Sequence, residues 1–268
     1  ASREVFPPGS TFKLITAAAA LEHGVRPDQE IPSPASLRLP GSNHSMGNST
    51  NCGGERTTLE RALATSCNTA FGQLGLDVGA DAMRDMAERF GFNADSQLDI
   101  RAATSRYPKD ADKAQTALSA IGQFDVASSP LQMAQVVAAI ANDGRMMRPY
   151  LVENVTTRDL QVISSTKPSE QAKPVSEATA KQLQSMMQTV VREGTGRSAR
   201  VDGLTIGGKT GTAQTAPDRP PYAWFVGYAE EPKVAVAVFI QDAGVARDDI
   251  SGGRLAAPVF RAVVRALR

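Results

Sequence analysis

The last third of the chain constrains the fold most. Residues 204–214, 223–229 and 234–241 are three runs rich in β-branched, aromatic and glycine residues, separated by connections of hairpin length. Parallel neighbours would need a crossover of a dozen or more residues, so the runs read as consecutive antiparallel strands. The sequence before them is mostly helical. Residues 10–23 form an alanine-rich apolar stretch closed by Gly24 with Pro27 beyond, the signature of a buried helix. Residues 32–54 are rich in Pro, Ser, Asn and Gly without apolar periodicity and read as a long surface excursion. Thr57-Thr58-Leu59-Glu60 has capping-box spacing ahead of a helix running toward Thr65; residues 68–78 and 80–90 predict two more, and residues 130–142 close the helical block. Two short β-branched runs between Tyr150 and Ile163, with Arg158 and Asp159 between them, predict a hairpin. Ser176 offers an N-cap to a helix ending near Glu193, and residues 256–268 an amphipathic final helix. Strands late and helices in the middle give an α+β domain carrying an all-helical insertion.

Composition removes several function classes. Twenty-nine basic and 28 acidic residues leave a formal net charge of +1, so there is no global field to gather nucleic acid or an anionic membrane. No apolar run approaches the roughly 20 residues that span a bilayer. Cys52, Cys67, His23 and His44 are the only residues of their types and show no metal-binding spacing, so no metal site is expected. The terminal helix carries Arg261, Arg265 and Arg268 on one side, which suits a membrane surface or, more simply, a helix dipole complemented at its C-terminus.

Chemistry concentrates in three places. In Pro7-Pro8-Gly9-Ser10-Thr11-Phe12-Lys13 the prolines and glycine stop any preceding element and a helix begins near the serine. Ser10 and Lys13 then lie one turn apart, close enough for the amine to take the hydroxyl proton, with the helix N-terminus favouring the oxyanion that follows. A lysine titrating near ~10.4 is a base only if burial or a neighbouring cation lowers that value. Alone, S-x-x-K is also a chance spacing. Ser66-Cys67-Asn68 sits at the junction of two predicted helices. Its hydroxyl and amide suit proton relay and substrate binding, and equally a helix cap. Gly207-Gly208-Lys209-Thr210-Gly211-Thr212-Ala213 combines close-approach glycines with a fixed cation and hydroxyls for a carboxylate, or is a glycine-rich edge strand. The same stretch, from Gly203, matches the phosphate loop G-x-x-x-x-G-K-T. That loop must lead into a helix, whereas residues 215–221 contain Pro217, Pro220 and Pro221. Ser10 also lacks a nucleophile elbow or a suitably disposed histidine, leaving lysine as the base.

Ser10-Thr11-Phe12-Lys13, Ser66-Cys67-Asn68 and Lys209-Thr210-Gly211 follow the order of motifs in penicillin-binding proteins and serine β-lactamases, and the sequence resembles that family. Ser129-Pro130-Leu131-Gln132-Met133-Ala134, Gly194-Thr195-Gly196, residues 223–228 and residues 256–260 narrow the resemblance to class B penicillin-binding proteins, over nearly the whole chain. No E-x-x-L-N follows the second motif, as a class A β-lactamase would have.

The resemblance implies a penicillin-binding protein/serine β-lactamase-like fold: an antiparallel sheet flanked by helices plus an all-helical subdomain, roughly residues 55–147, with the sheet-bearing part at roughly 1–30 and 148–268. It implies a serine-type peptidoglycan D,D-transpeptidase, with possible D,D-carboxypeptidase side activity, needing neither metal nor cofactor. Ser10 would be the nucleophile and Lys13 the general base. Ser66, linked to Lys209, would relay the proton, and Asn68 would bind substrate and steady Lys13. The N–H groups of Ser10 and Thr212 would form the oxyanion hole; Thr210, Gly211 and Thr212 would hold the substrate or β-lactam carboxylate. The implied partners are stem peptides ending in D-Ala-D-Ala, β-lactams, a membrane glycosyltransferase and division or elongation proteins. The implied location is the extracytoplasmic face of the plasma membrane. A Cys52–Cys67 disulfide is expected in that oxidising compartment, two buried thiols being the alternative. Only nine residues precede Ser10, so the chain is expected to be part of a longer polypeptide whose membrane anchor and further sheet strands lie outside it, and to aggregate when expressed alone.

Overall fold

Residues 1–216 and 219–268 are described by a computed structural model. A short 3₁₀ turn, Gly9–Phe12, leads directly into helix α1, Lys13–Glu22. Strands β1 (Glu30–Pro32), β2 (Ser36–Arg38), β3 (Ser45–Gly47) and β4 (Arg56–Thr58) follow, then helices α2 (Leu59–Thr65), α3 (Asn68–Val78), α4 (Ala80–Arg89), α5 (Lys113–Ser119) and α6 (Pro130–Ala141). Short strands β5 (Met146–Met147), β6 (Asn154–Thr156), β7 (Val162–Ser165) and β8 (Glu170–Ala172) precede α7, Glu177–Arg192. The chain ends with β9 (Ile206–Ala213), β10 (Tyr222–Ala229), β11 (Val234–Ile240), a π-helical turn at Gly252–Ala256 and α8, Ala257–Ala266.

The three late strands form one antiparallel sheet in the order β11-β10-β9, with Lys209 opposite Val226 and Gly211 opposite Trp224. The period-2 alternation of β10 separates two cores. Trp224, Val226 and Tyr228 face the larger core with α1, α6 and α7; Phe225 and Ala229 face the smaller one, where Phe225 meets Phe260 of α8 at 4.9 Å. At the centre α1 is buried on every side, because Ala17–Ala20 let neighbouring elements approach closely.

Two expectations are revised: the character of residues 32–54 and the cap of α2. Residues 32–54 are not featureless: β2 and β3 form a hairpin there, and β1 pairs with β4. The cap of α2 is Thr58, the last residue of β4, whose side chain accepts from Arg61 N–H; the Thr57–Glu60 box does not form. Helix α5 was not anticipated, although Asp112 and Gln115 form a full capping box at its start. The phosphate-loop pattern is absorbed by β9, which runs unbroken through Gly208-Lys209-Thr210; Pro217 and Asp218, in the proline-rich run after it, lie outside the described residues. No helix among the described residues is long and apolar enough to cross a membrane.

Candidate active site

The outer edge of β9 meets the 3₁₀ turn that begins α1. At Gly9, φ is +52° and a Cβ would lie 3.0 Å from Ala213 Cα and Thr212 O, so only glycine lets the turn sit against the strand. This packing sets Ser10 beside Thr210 and Thr212 on the wall of a cleft of about 1080 Å³, into which Ser66 and Asn68 also project.

Ser66 ends α2 in the left-handed region, with φ 61° and ψ 42°. That conformation is uncommon for serine, and it turns both oxygens of the residue toward one amine. Lys13 Nζ lies 2.7 Å from Ser66 O, 3.3 Å from Ser66 Oγ and 2.8 Å from Asn68 Oδ1. Lys209 Nζ donates to Ser66 Oγ at 2.8 Å and to Thr210 O at 2.9 Å. Lys209, the Ser66 hydroxyl and Lys13 thus form one connected chain. Thr210 Oγ1 and Thr195 Oγ1 share a 2.6 Å hydrogen bond, and Thr212 Oγ1 accepts from Gly252 N–H at 3.4 Å.

Both lysines are fully buried. Desolvation, reinforced by the nearby Lys209 charge, pushes Lys13 well below the ordinary lysine value. Desolvation lowers Lys209 to about 7. A neutral Lys13 amine can donate to the two carbonyl-type acceptors, Ser66 O and Asn68 Oδ1, and keep a lone pair to take a proton. The hydrogen bonds of Lys13 Nζ go to Ser66 and Asn68, and none runs to Ser10 Oγ among the described residues.

The structure brings Ser10, Ser66, Asn68, Thr210 and Thr212 to the cleft and sets Lys13 and Lys209 behind it. Gly211 faces Thr11 and Pro8, where a Cβ would clash, so its part is close packing of β9 on the turn. Cys52 and Cys67 are joined in a disulfide, tying residues 47–52 to the start of α3. Two residues escaped the sequence reading. Asn48 Oδ1 accepts from the N–H groups of Asn68 (2.8 Å) and Thr69 (3.0 Å), replacing the side-chain cap that Cys67 does not supply. Thr195 stands beside Thr210; its only signal was the Gly194-Thr195-Gly196 triplet.

The penicillin binding protein transpeptidase domain family matches residues 1–265. Over 98% of its length the chain is 43% identical to the peptidoglycan D,D-transpeptidase PbpA of Mycolicibacterium smegmatis and 41% identical to that of Mycobacterium tuberculosis. It covers 55% of each, so the chain spans about half the length of these relatives. Among solved structures, penicillin-binding protein A from M. tuberculosis as its ceftriaxone acyl-enzyme complex aligns over 100% of this chain and 62% of that one, with TM-score 0.94 and 38% identity. The penicillin G acyl-enzyme complex aligns over the same shares with TM-score 0.92 and 40% identity.

Proposed function

The chain belongs to the penicillin-binding protein transpeptidase domain family, and from that premise we propose that it cross-links peptidoglycan stem peptides through an acyl-enzyme on Ser10 and is acylated there by β-lactams. The observation that carries the reading is the hydrogen-bonded chain from Lys13 through Ser66 to Lys209, at 3.3 and 2.8 Å, behind a cleft that exposes Ser10.

Ser10 Oγ attacks the carbonyl of the penultimate D-Ala and its proton passes to Lys13. The N–H groups of Ser10 and Thr212 receive the developing oxyanion. The peptide C–N bond breaks as Ser66 hands a proton to the departing D-Ala amine and regains one from the lysine pair. Asn68 holds the substrate backbone and keeps Lys13 in place; Thr210 and Thr212 hold the terminal carboxylate. An amine of a second stem peptide then attacks the ester, forming the cross-link and returning the proton to Ser10. Water in that step would give carboxypeptidase activity. A β-lactam follows the same first step, but its leaving group stays tethered to the acyl group. Action on peptidoglycan implies the extracytoplasmic face of the membrane and cooperation with a glycosyltransferase and division or elongation proteins.

The test is mass spectrometry of the penicillin-treated protein. The expected result is an adduct on Ser10 that persists for many minutes. Rapid turnover would instead make the protein a β-lactamase, and an unlabelled protein with Ser10 intact would overturn the acyl-enzyme reading altogether.

A further inference from the structure

One residue of the cleft has no part in this chemistry and an unusual setting. Phe124 lies in the connection between α5 and α6, lines the cleft, is 49% exposed and has φ 62°. Bulky L-residues rarely adopt that conformation, and burial does not compensate for it here. It is also the only aromatic with positive φ among the described residues.

The connection is well braced. Gly9 N–H donates to Gly122 O at 3.0 Å, Gln123 N–H to Leu118 O at 3.1 Å, and Arg106 Nε to Asp125 Oδ1 at 3.0 Å. Arg106 and Ala127 exchange both backbone hydrogen bonds. At Gly122 a Cβ would fall 2.1 Å from Gly9 O, so the connection is fixed against the residue preceding the nucleophile. Leu118 and Ile121 line the cleft beside Phe124, and together they form an apolar surface contributed by the helical part of the molecule. The hydroxyls suited to a carboxylate stand on β9.

We propose that Phe124 is a specificity-determining residue of the acyl-donor cleft. Its ring, with Leu118 and Ile121, receives the apolar portion of the acyl group on the amino side of the reactive carbonyl: an aliphatic side chain of the donor peptide, or the aryl group of a penicillin. The inference rests on Ser10 being the nucleophile. It adds that recognition is divided, with the carboxylate held by β9 and the apolar flank by the α5–α6 connection.

The experiment compares acylation by benzylpenicillin with acylation by the same bicyclic nucleus carrying an acetamido group, which lacks only the phenyl ring. Phe124→Ala should lower the second-order rate for benzylpenicillin by about 10-fold or more, in the range of a lost apolar pocket contact, and change the acetamido compound by less than about 2-fold. Phe124→Tyr should keep the wild-type ratio. Phe124→Gly, which suits φ 62°, should fold at least as stably as the wild type and lose the ratio as alanine does. An unchanged ratio in the alanine and glycine variants, or an equal fall for both compounds, would overturn the role of Phe124 alone. Failure of wild-type Ser10 to be acylated by either compound would overturn the nucleophile assignment and this inference with it.

Discussion

Lys209 Nζ donates to Ser66 Oγ at 2.8 Å, and Lys13 Nζ approaches the same oxygen at 3.3 Å from the other element. One hydroxyl therefore joins two buried amines, and no carboxylate among the described residues forms an ion pair with either. Neutral amines tolerate such a setting far better than ammonium groups, which is why burial lowers both titrations.

Removing the shared hydroxyl tests the relay. Ser66→Ala leaves Lys13 with Ser66 O and Asn68 Oδ1 and leaves Lys209 with Thr210 O, so the fold should survive. Acylation by benzylpenicillin should fall by roughly 10²- to 10⁴-fold, the usual loss when positioned proton transfer is removed. Stopped-flow acylation with circular dichroism as a check on folding measures this; a rate within 2-fold of wild type would exclude Ser66 from the relay.

The same pair makes stability depend on pH in a defined direction. In the unfolded chain both amines stay protonated up to about pH 10.4, whereas in the fold Lys209 loses its proton near 7 and Lys13 titrates well below the ordinary value. Above pH 7 the unfolded state therefore binds more protons, and stability rises with pH. The burial penalty is present in full below the folded values and is relieved as pH climbs toward the unfolded one. Urea unfolding between pH 7.5 and 9.5 should give a steeper rise for wild type than for Lys209→Met, the difference corresponding to about one proton. Parallel slopes would show that Lys209 keeps its proton in the folded state throughout this window.

The Cys52–Cys67 bridge closes a loop over a sequence separation of 15 residues. Cross-linking a loop of that size stabilises by about 3 kcal/mol in the chain-entropy account. The Cys52→Ser, Cys67→Ser double variant should lose stability of that order in urea unfolding. Thiol counting on the unreduced, denatured wild type should find none free; two free thiols would reject the bridge.

What was legible in the sequence followed from local rules. Each late strand carries its own β-branched, aromatic and glycine content, and the Ser176 cap lies next to the helix it starts, so β9 to β11 and α7 were read with ends close to those observed. The site motifs were legible as short local strings whose order matches a known family. The glycine-rich reading of residues 207–213 as an edge strand holds: β9 is the edge, and its outer side meets the turn that carries Ser10. Contacts between distant segments were legible only where the family resemblance supplied them, as for Ser66 with Lys209 and Cys52 with Cys67. The β2–β3 hairpin lacks apolar alternation over more than three residues, and its identity depends on packing against α3. The 3₁₀ form of the turn at Gly9–Phe12, with Gly9 packed against β9, is likewise outside a spacing rule for α-helices.

Asn48 is the clearest of these long-range contacts. Its Oδ1 accepts from the N–H groups of Asn68 and Thr69, while its Nδ2 donates to Thr69 Oγ1 at 2.9 Å and Pro34 O at 3.3 Å. The residue thus caps α3 from a separate segment and fixes the backbone that carries Asn68, whose Oδ1 holds Lys13. Asn48→Ala should cost about 1–2 kcal/mol as a lost cap and should slow acylation, because Asn68 loses the anchor of its own N–H. Asn48→Asp keeps the acceptor and adds a charge that the helix N-terminus favours, so it should restore most of the stability and of the acylation rate. Urea unfolding and penicillin acylation of the three proteins decide the matter. An alanine variant as stable and as fast as wild type would remove Asn48 from the site, and an aspartate variant as impaired as alanine would mean that the Nδ2 contacts, rather than the cap, hold Asn68 in place.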